Sequence, residues 1–223
     1  MGRGQSTAFF AIVAAAHQKK MELYNNLRRT PSLSGCYFLT DSHGDEGEQN
    51  QFILHVTKAA KTGLAEHATP MAQLLFFWSR VAHIVEMNIK KQLAKGRPVI
   101  MVGFGGSVLA HASARVQSEN ERHALFATHM AIVQQCVYGM GIDPPNYIYL
   151  EADPHNLHDH KHLDQKCHAA NVTYMNSFFR DYGNLPGQTV HVISADEPSD
   201  FIHAKALKLI LQQVQQQPAR MSA

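Results

Sequence analysis

The sequence predicts an α/β fold, a three-layer sandwich in which helices cover both faces of a five-stranded parallel sheet. Two observations carry that expectation. Short apolar runs rich in Val, Ile and aromatic residues recur along the chain, and helix-length amphipathic segments separate them. The run "PVIMVGFGGSVLAHA" at 98–112 adds a third. Its apolar stretch closes on a glycine cluster and continues into small residues, as a buried parallel strand does when it turns into a helix.

Taken in order, "TAFFAIVA" (7–14) reads as the first strand and "HQKKMELYNNLRR" as the first helix. Met21, Leu23, Tyr24 and Leu27 share a face of that helix, and Pro31 stops it. "GCYFLTD" (35–41) is the second strand. A polar acidic loop, "SHGDEGEQNQ", leads to "FILHVTKAAKTG". Pro70 opens a long helix, "MAQLLFFWSRVAHIVEMNIKKQLAKG", which Gly96 closes. "RPVIMV" is the third strand and the expected centre of the sheet. A polar helix then runs across 118–141, followed by the strand "NYIYLEA". The chain closes with the helix "HAANVTYMNSFFRDYG", the strand "QTVHVISA" and the helix "EPSDFIHAKALKLILQQVQQ".

One domain over residues 1–223 is expected, with an N-terminal arm at 1–7, a lid-like segment at 155–168 and a polar tail at 215–223. An apolar content of 45% supports a substantial core. A formal charge of +2 gives no direct nucleic-acid signature. Cys36, Cys136 and Cys167 are odd in number and widely spaced, which fits free thiols in a reducing, intracellular compartment. No run approaches the roughly 20 apolar residues of a transmembrane segment. The start, "MGRGQS", matches a myristoylation pattern through Gly2 and Ser6. Its basic, acid-free character also fits a mitochondrial targeting segment, but "AFFAIVA" is better read as a strand because similar runs recur downstream.

Three stretches together resemble the thymidylate kinase family and cover nearly the whole chain. "AQLLFFWSRVAHIVEMNIKKQLAKGRPVIM" is similar to the family's long helix and the strand after it. "PNYIYLEADP" is similar to its strand before the lid, and "FFRDYGNL" with "QTVHVISADEPSDFIHAKALKLIL" to its closing elements. The resemblance implies a P-loop kinase fold. It also implies phosphate-binding signatures that this chain lacks. No glycine occurs between Gly4 and Gly35, so G-x-x-x-x-G-K-[ST] is absent, and Lys19 and Lys20 lie too far into the helix to replace its lysine. Asp41 stands where the family places an arginine. Val102, Gly103 and Phe104 stand where it places Asp-Arg-Tyr, so these residues and Ser107 are the remains of a phosphate site.

The lid, "DPHNLHDHKHLDQK", has no arginine. Its histidines are His155, His158, His160 and His162, of which His158 and His162 have i, i+4 spacing. A solvated polar lid is the simpler reading, with no metal site. Phe76 and Arg80 align with the family's base-stacking Phe and its neighbouring Arg. They are either a vestigial nucleobase pocket or a core Phe beside an ordinary exposed or ion-paired Arg. The expectation is a pseudoenzyme with no catalytic residue and no cofactor, acting as a subunit among other proteins of a multisubunit assembly. A divergent nucleotide kinase and a nucleotide-sensing module are the alternatives.

Overall fold

A computed structural model describes residues 8–15, 17–40, 68–155 and 165–215. Five strands lie in one sheet: β1 Phe9–Ala14, β2 Tyr37–Thr40, β3 Val99–Val102, β4 Asn146–Glu151 and β5 Thr189–Ser194. Every pairing is parallel, in the order β2-β3-β1-β4-β5. The five strands expected from the sequence are therefore present, with one correction. The central strand is β1, and "VIMV" sits one place over, between β2 and β1. Both strands are buried along their whole length, so apolar runs alone do not rank them.

Period-2 alternation divides the core in two. Phe9, Ala11, Val13, Val99, Met101, Tyr147 and Tyr149 point to one face, and Phe10, Ile12, Ala14, Ile100, Val102, Ile148 and Leu150 to the other. The second face is covered by α1 (His17–Arg28) and α6 (Ser199–Gln215), with Leu23, Tyr24, Leu27, Ile202, Ala206 and Ile210 packed against the strands. The first is covered by four helices. The long helix α2 comprises Pro70–Ile84, a π-helical turn at Val85–Ile89, and Lys90–Ala94. The others are α3 Gly105–Ala114, α4 Glu119–Cys136 and α5 Gln165–Tyr182.

Helix ends follow local chemistry. Thr69 caps α2 by accepting a hydrogen bond from Ala72 N at 3.3 Å, and Pro70 takes the first helical position, where its missing N–H costs nothing. The polar helix α4 stops at Cys136, earlier than the expected 141. A 3₁₀ turn at Tyr138–Met140 follows, ended by Gly141 at φ +74°. Cys36 is buried and Cys136 half-buried. Both are free thiols whose ionisation is pushed up mainly by burial. Among the described residues no helix is long and apolar enough to cross a membrane.

Candidate functional site

In an open parallel sheet, ligands bind beyond the carboxyl ends of the strands where the chain order switches sides. Here that point is the end of β1, which has β3 on one flank and β4 on the other. β1 ends at Ala14 and α1 begins at His17, so the connection is two residues long. Lys19 and Lys20 fall in the first turn of α1.

The glycine cluster sits beside this turn. Gly103 adopts φ +73°, the left-handed turn that takes the chain off β3, and its N–H donates to Ile12 O at 2.9 Å. Val102 is fully buried in the face beneath α1 and α6. Phe104 is also buried, edge-on to Phe9 at 5.1 Å and to Trp78 at 5.9 Å. The two glycines that follow are required by packing. A Cβ on Gly105 would stand 2.0 Å from Trp78 Cζ2, and one on Gly106 2.9 Å from the Tyr147 hydroxyl. The Gly106 N–H donates to that hydroxyl at 3.1 Å. Phe104 N donates to Ser107 Oγ at 3.4 Å, and Ser107 Oγ donates to the Phe104 carbonyl at 2.7 Å. Amides that an anion would need at the start of α3 are thus already engaged by side chains.

Behind the cluster lies a buried polar chain that the sequence did not disclose. Trp78 Nε1 donates to His129 Nδ1 at 3.1 Å. An indole only donates, so Nδ1 accepts and the imidazole proton resides on Nε2, 3.1 Å from the Tyr182 hydroxyl. The Tyr182 and Tyr147 hydroxyls bond to each other, and Tyr147 returns the chain to Gly106. His129 has no exposed surface, and burial pushes its pKa down to about 3. Burial likewise pushes the Tyr147 and Tyr182 hydroxyls up. Every member is therefore neutral near pH 7 and has a partner, which makes burial of these polar atoms tolerable.

No family model and no curated relative matches the sequence. Among solved structures, the crystal structure of thymidylate kinase from Ehrlichia chaffeensis aligns with 91% of this chain and 98% of its own, with a TM-score of 0.60 and 14% identity. The chain has the thymidylate kinase fold. At that identity the likeness is one of fold alone.

Within this thymidylate-kinase-like frame the remaining candidates can be placed. Phe76 and Arg80 lie on α2, the helix that also delivers Trp78 to the glycine cluster. Phe76 is half-buried and meets Phe77 edge-on at 5.5 Å. Arg80 is buried, with its guanidinium over the Phe77 ring at 5.4 Å, so of the two alternatives, exposed or ion-paired, the exposed one does not hold. Asp41, His158, His160 and His162 lie outside the described residues, as do the N-terminal arm with Gly2 and the tail beyond 215. His155 is described. Its N–H donates to Asp153 Oδ1 at 2.8 Å, and no group of three metal-ligating side chains occurs among the described residues.

A polar pocket of about 390 Å³ opens at the carboxyl ends of β4 and β5, lined by Glu151, Asp153, Asn176, Arg180, Ser194 and Asp196. Its centre is an ion pair, Arg180 Nη2 to Glu151 Oε1 at 2.7 Å. A second pocket, of about 290 Å³, lies between α3, α4 and α5. There Arg122 covers the Tyr174 ring at 5.5 Å beside Phe126 and Phe178. Sequence patterning could not single out these groups, because their partners come from elements far apart in the chain.

Proposed function

We propose that this chain is a non-catalytic protein of the thymidylate kinase fold, serving as a structural or interaction subunit of a larger assembly. One observation carries the reading. β1 passes into α1 across two residues, where a P-loop needs about five to wrap its amides around a nucleotide's phosphates. The glycine cluster after β3 supports it, since Phe104 packs on Trp78 and the Gly106 N–H is already given to the Tyr147 hydroxyl, where the resemblance would place phosphate-binding groups. Phosphoryl transfer consists largely of positioning and charge stabilisation, so a site without those groups has little left to work with. Removing one stabilising donor typically costs about 10²–10³ in rate.

The test is radiolabelled phosphate transfer from ATP with magnesium to thymidylate and other nucleoside monophosphates, beside a Phe76→Ala, Arg80→Ala variant. The expected result is no transfer above background for either protein. Turnover that disappears in the variant would overturn the proposal in favour of a divergent kinase. Purification from the native source tests the subunit role. Co-migration with a stable set of proteins is expected, and migration as a free monomer contradicts it.

A further inference from the structure

The pocket between α3, α4 and α5 includes neither the glycine cluster nor Phe76 and Arg80. Three helices build it. α5 brings Tyr174, Phe178 and Tyr182, one turn apart, with successive ring centroids 6.3 and 5.4 Å apart and the planes near parallel. α3 adds Leu109 and Ser113, and α4 adds Phe126. The Tyr182 hydroxyl is tied to His129 and Tyr147 in the buried polar chain, which holds this part of the lining in place. The polar groups of the pocket fall into two sets. Arg122 is committed: its Nε and Nη2 donate to Val116 O at 3.1 and 2.7 Å, and its Nη1 to Glu119 Oε2 at 3.4 Å. The Asp181 carboxylate and the Ser113 hydroxyl, by contrast, have no side-chain partner among the described residues. Asp181 shares the face of α5 that carries the rings, and Ser113 is only 2% exposed. A hydroxyl buried so deeply is ordinarily bonded, to protein, to water or to a ligand.

We propose that this pocket binds a small arylalkylamine, a flat aromatic ring joined by a short chain to an ammonium group. The ring belongs among Leu109, Phe126 and Phe178, where aromatic groups pack edge-on or offset. The ammonium belongs at Asp181, whose carboxylate is otherwise unused, and the Ser113 hydroxyl suits a ring N–H. Charge sets the sign of the ligand. Glu119 and Asp181 face one Arg and no Lys in the lining, and His123 beside Glu119 adds charge only when protonated. A nucleotide or other anion would meet two carboxylates, while the guanidinium nearest to it is held by Val116 and Glu119. The volume of about 290 Å³ sets the size, since it falls at the small end of ligand pockets, which run to roughly 300–1,000 Å³. The inference is independent of whether the chain has kinase activity.

The experiment is isothermal titration calorimetry of the full chain with tryptamine, indole-3-propionate and butylamine. Tryptamine is expected to bind with a Kd of about 1 mM or tighter, which a ligand of so few atoms can reach. Indole-3-propionate keeps the ring and reverses the charge, and butylamine keeps the ammonium without the ring. Each is expected to bind at least ~10-fold more weakly than tryptamine. Asp181→Asn should weaken tryptamine about 10-fold and leave indole-3-propionate no weaker than before. Glu121→Gln removes the same charge from an exposed position of α4 outside the pocket and should leave affinity unchanged. Ser177→Trp, at an exposed position of the lining, should abolish binding by filling the space, with circular dichroism confirming that the variant is folded. Absence of tryptamine binding in the millimolar range would overturn the proposal. So would binding of the acid as tight as that of the amine, or tryptamine affinity indifferent to Asp181→Asn or to Ser177→Trp.

Discussion

Trp78 touches three of the features that distinguish this site: the Phe104 ring, the face of Gly105 and the buried His129. Gly105→Ala would drive a methyl group into an indole that is 2% exposed, so the ring or the start of α3 must move. The expected cost is about 2 kcal/mol or more, read by denaturant unfolding. A loss below about 0.5 kcal/mol would mean that the ring does not pack as described. His129 provides a pH signature. Its folded-state pKa is depressed to about 3, so between about pH 6.5 and 3 the unfolded chain takes up a proton that the folded chain refuses. Stability present above pH 6.5 is thus lost as pH falls through that window, at up to about 1.4 kcal/mol per pH unit. A His129→Gln variant should be less stable at pH 7.5 and should show a shallower decline toward pH 4 in parallel melts. His191, also depressed by burial, contributes a decline of the same sign in both proteins.

At the scale of the element, α2 differs most from its pattern in the sequence. Its buried apolar residues run Leu74, Trp78, Val81, Ile84 and Val85, then continue at Ile89 and Leu93, about one residue later than a plain 3.6 repeat. The π turn at Val85–Ile89 absorbs that extra residue and lets Asn88 Nδ2 reach Tyr37 Oη at 3.4 Å. Deleting the exposed Met87 should restore an ordinary α-helix at a cost within about 1 kcal/mol. Deleting the exposed Ala127 in α4, which has no such turn, should rotate Val133 out of the core and lower the melting temperature much further. Thermal melts of the two deletions decide the point. The strands, most helices and the strand-to-helix turn at the glycine cluster were legible because each depends on a local period or a local residue pattern. The π turn was not, since one surplus residue in a long apolar pattern still reads as helix. The Trp78–His129–Tyr182–Tyr147 chain was hidden for a different reason. His129 occupies a helix that reads as polar, and only tertiary packing turns its side chain inward.

For the whole molecule, the chain keeps five parallel strands and two buried faces, and the proposed function holds that this frame stands without the chemistry mounted on it. Ligand linkage tests this directly. A nucleotide present at 100 times its Kd would add about 2.7 kcal/mol to folding stability. Millimolar magnesium–ATP is therefore expected to leave the melting temperature unchanged, and a rise of several degrees that Lys19→Ala or Lys20→Ala abolishes would contradict the proposed function. On the proposed function, the turn at the end of β3 also bears on the route from this chain to a catalytic one. An Asp at 102 would enter a sealed apolar layer at a cost of several kcal/mol, and an Arg at 103 would carry its Cβ into a left-handed turn at about 1–2 kcal/mol. Native stability is only about 5–15 kcal/mol in total. The two changes together would use up much of that margin before a phosphate loop had been supplied. The end of β3 therefore behaves as a ratchet: each single step toward catalysis is disfavoured by folding, and selection would have to carry an unstable chain through several of them before any activity repaid it.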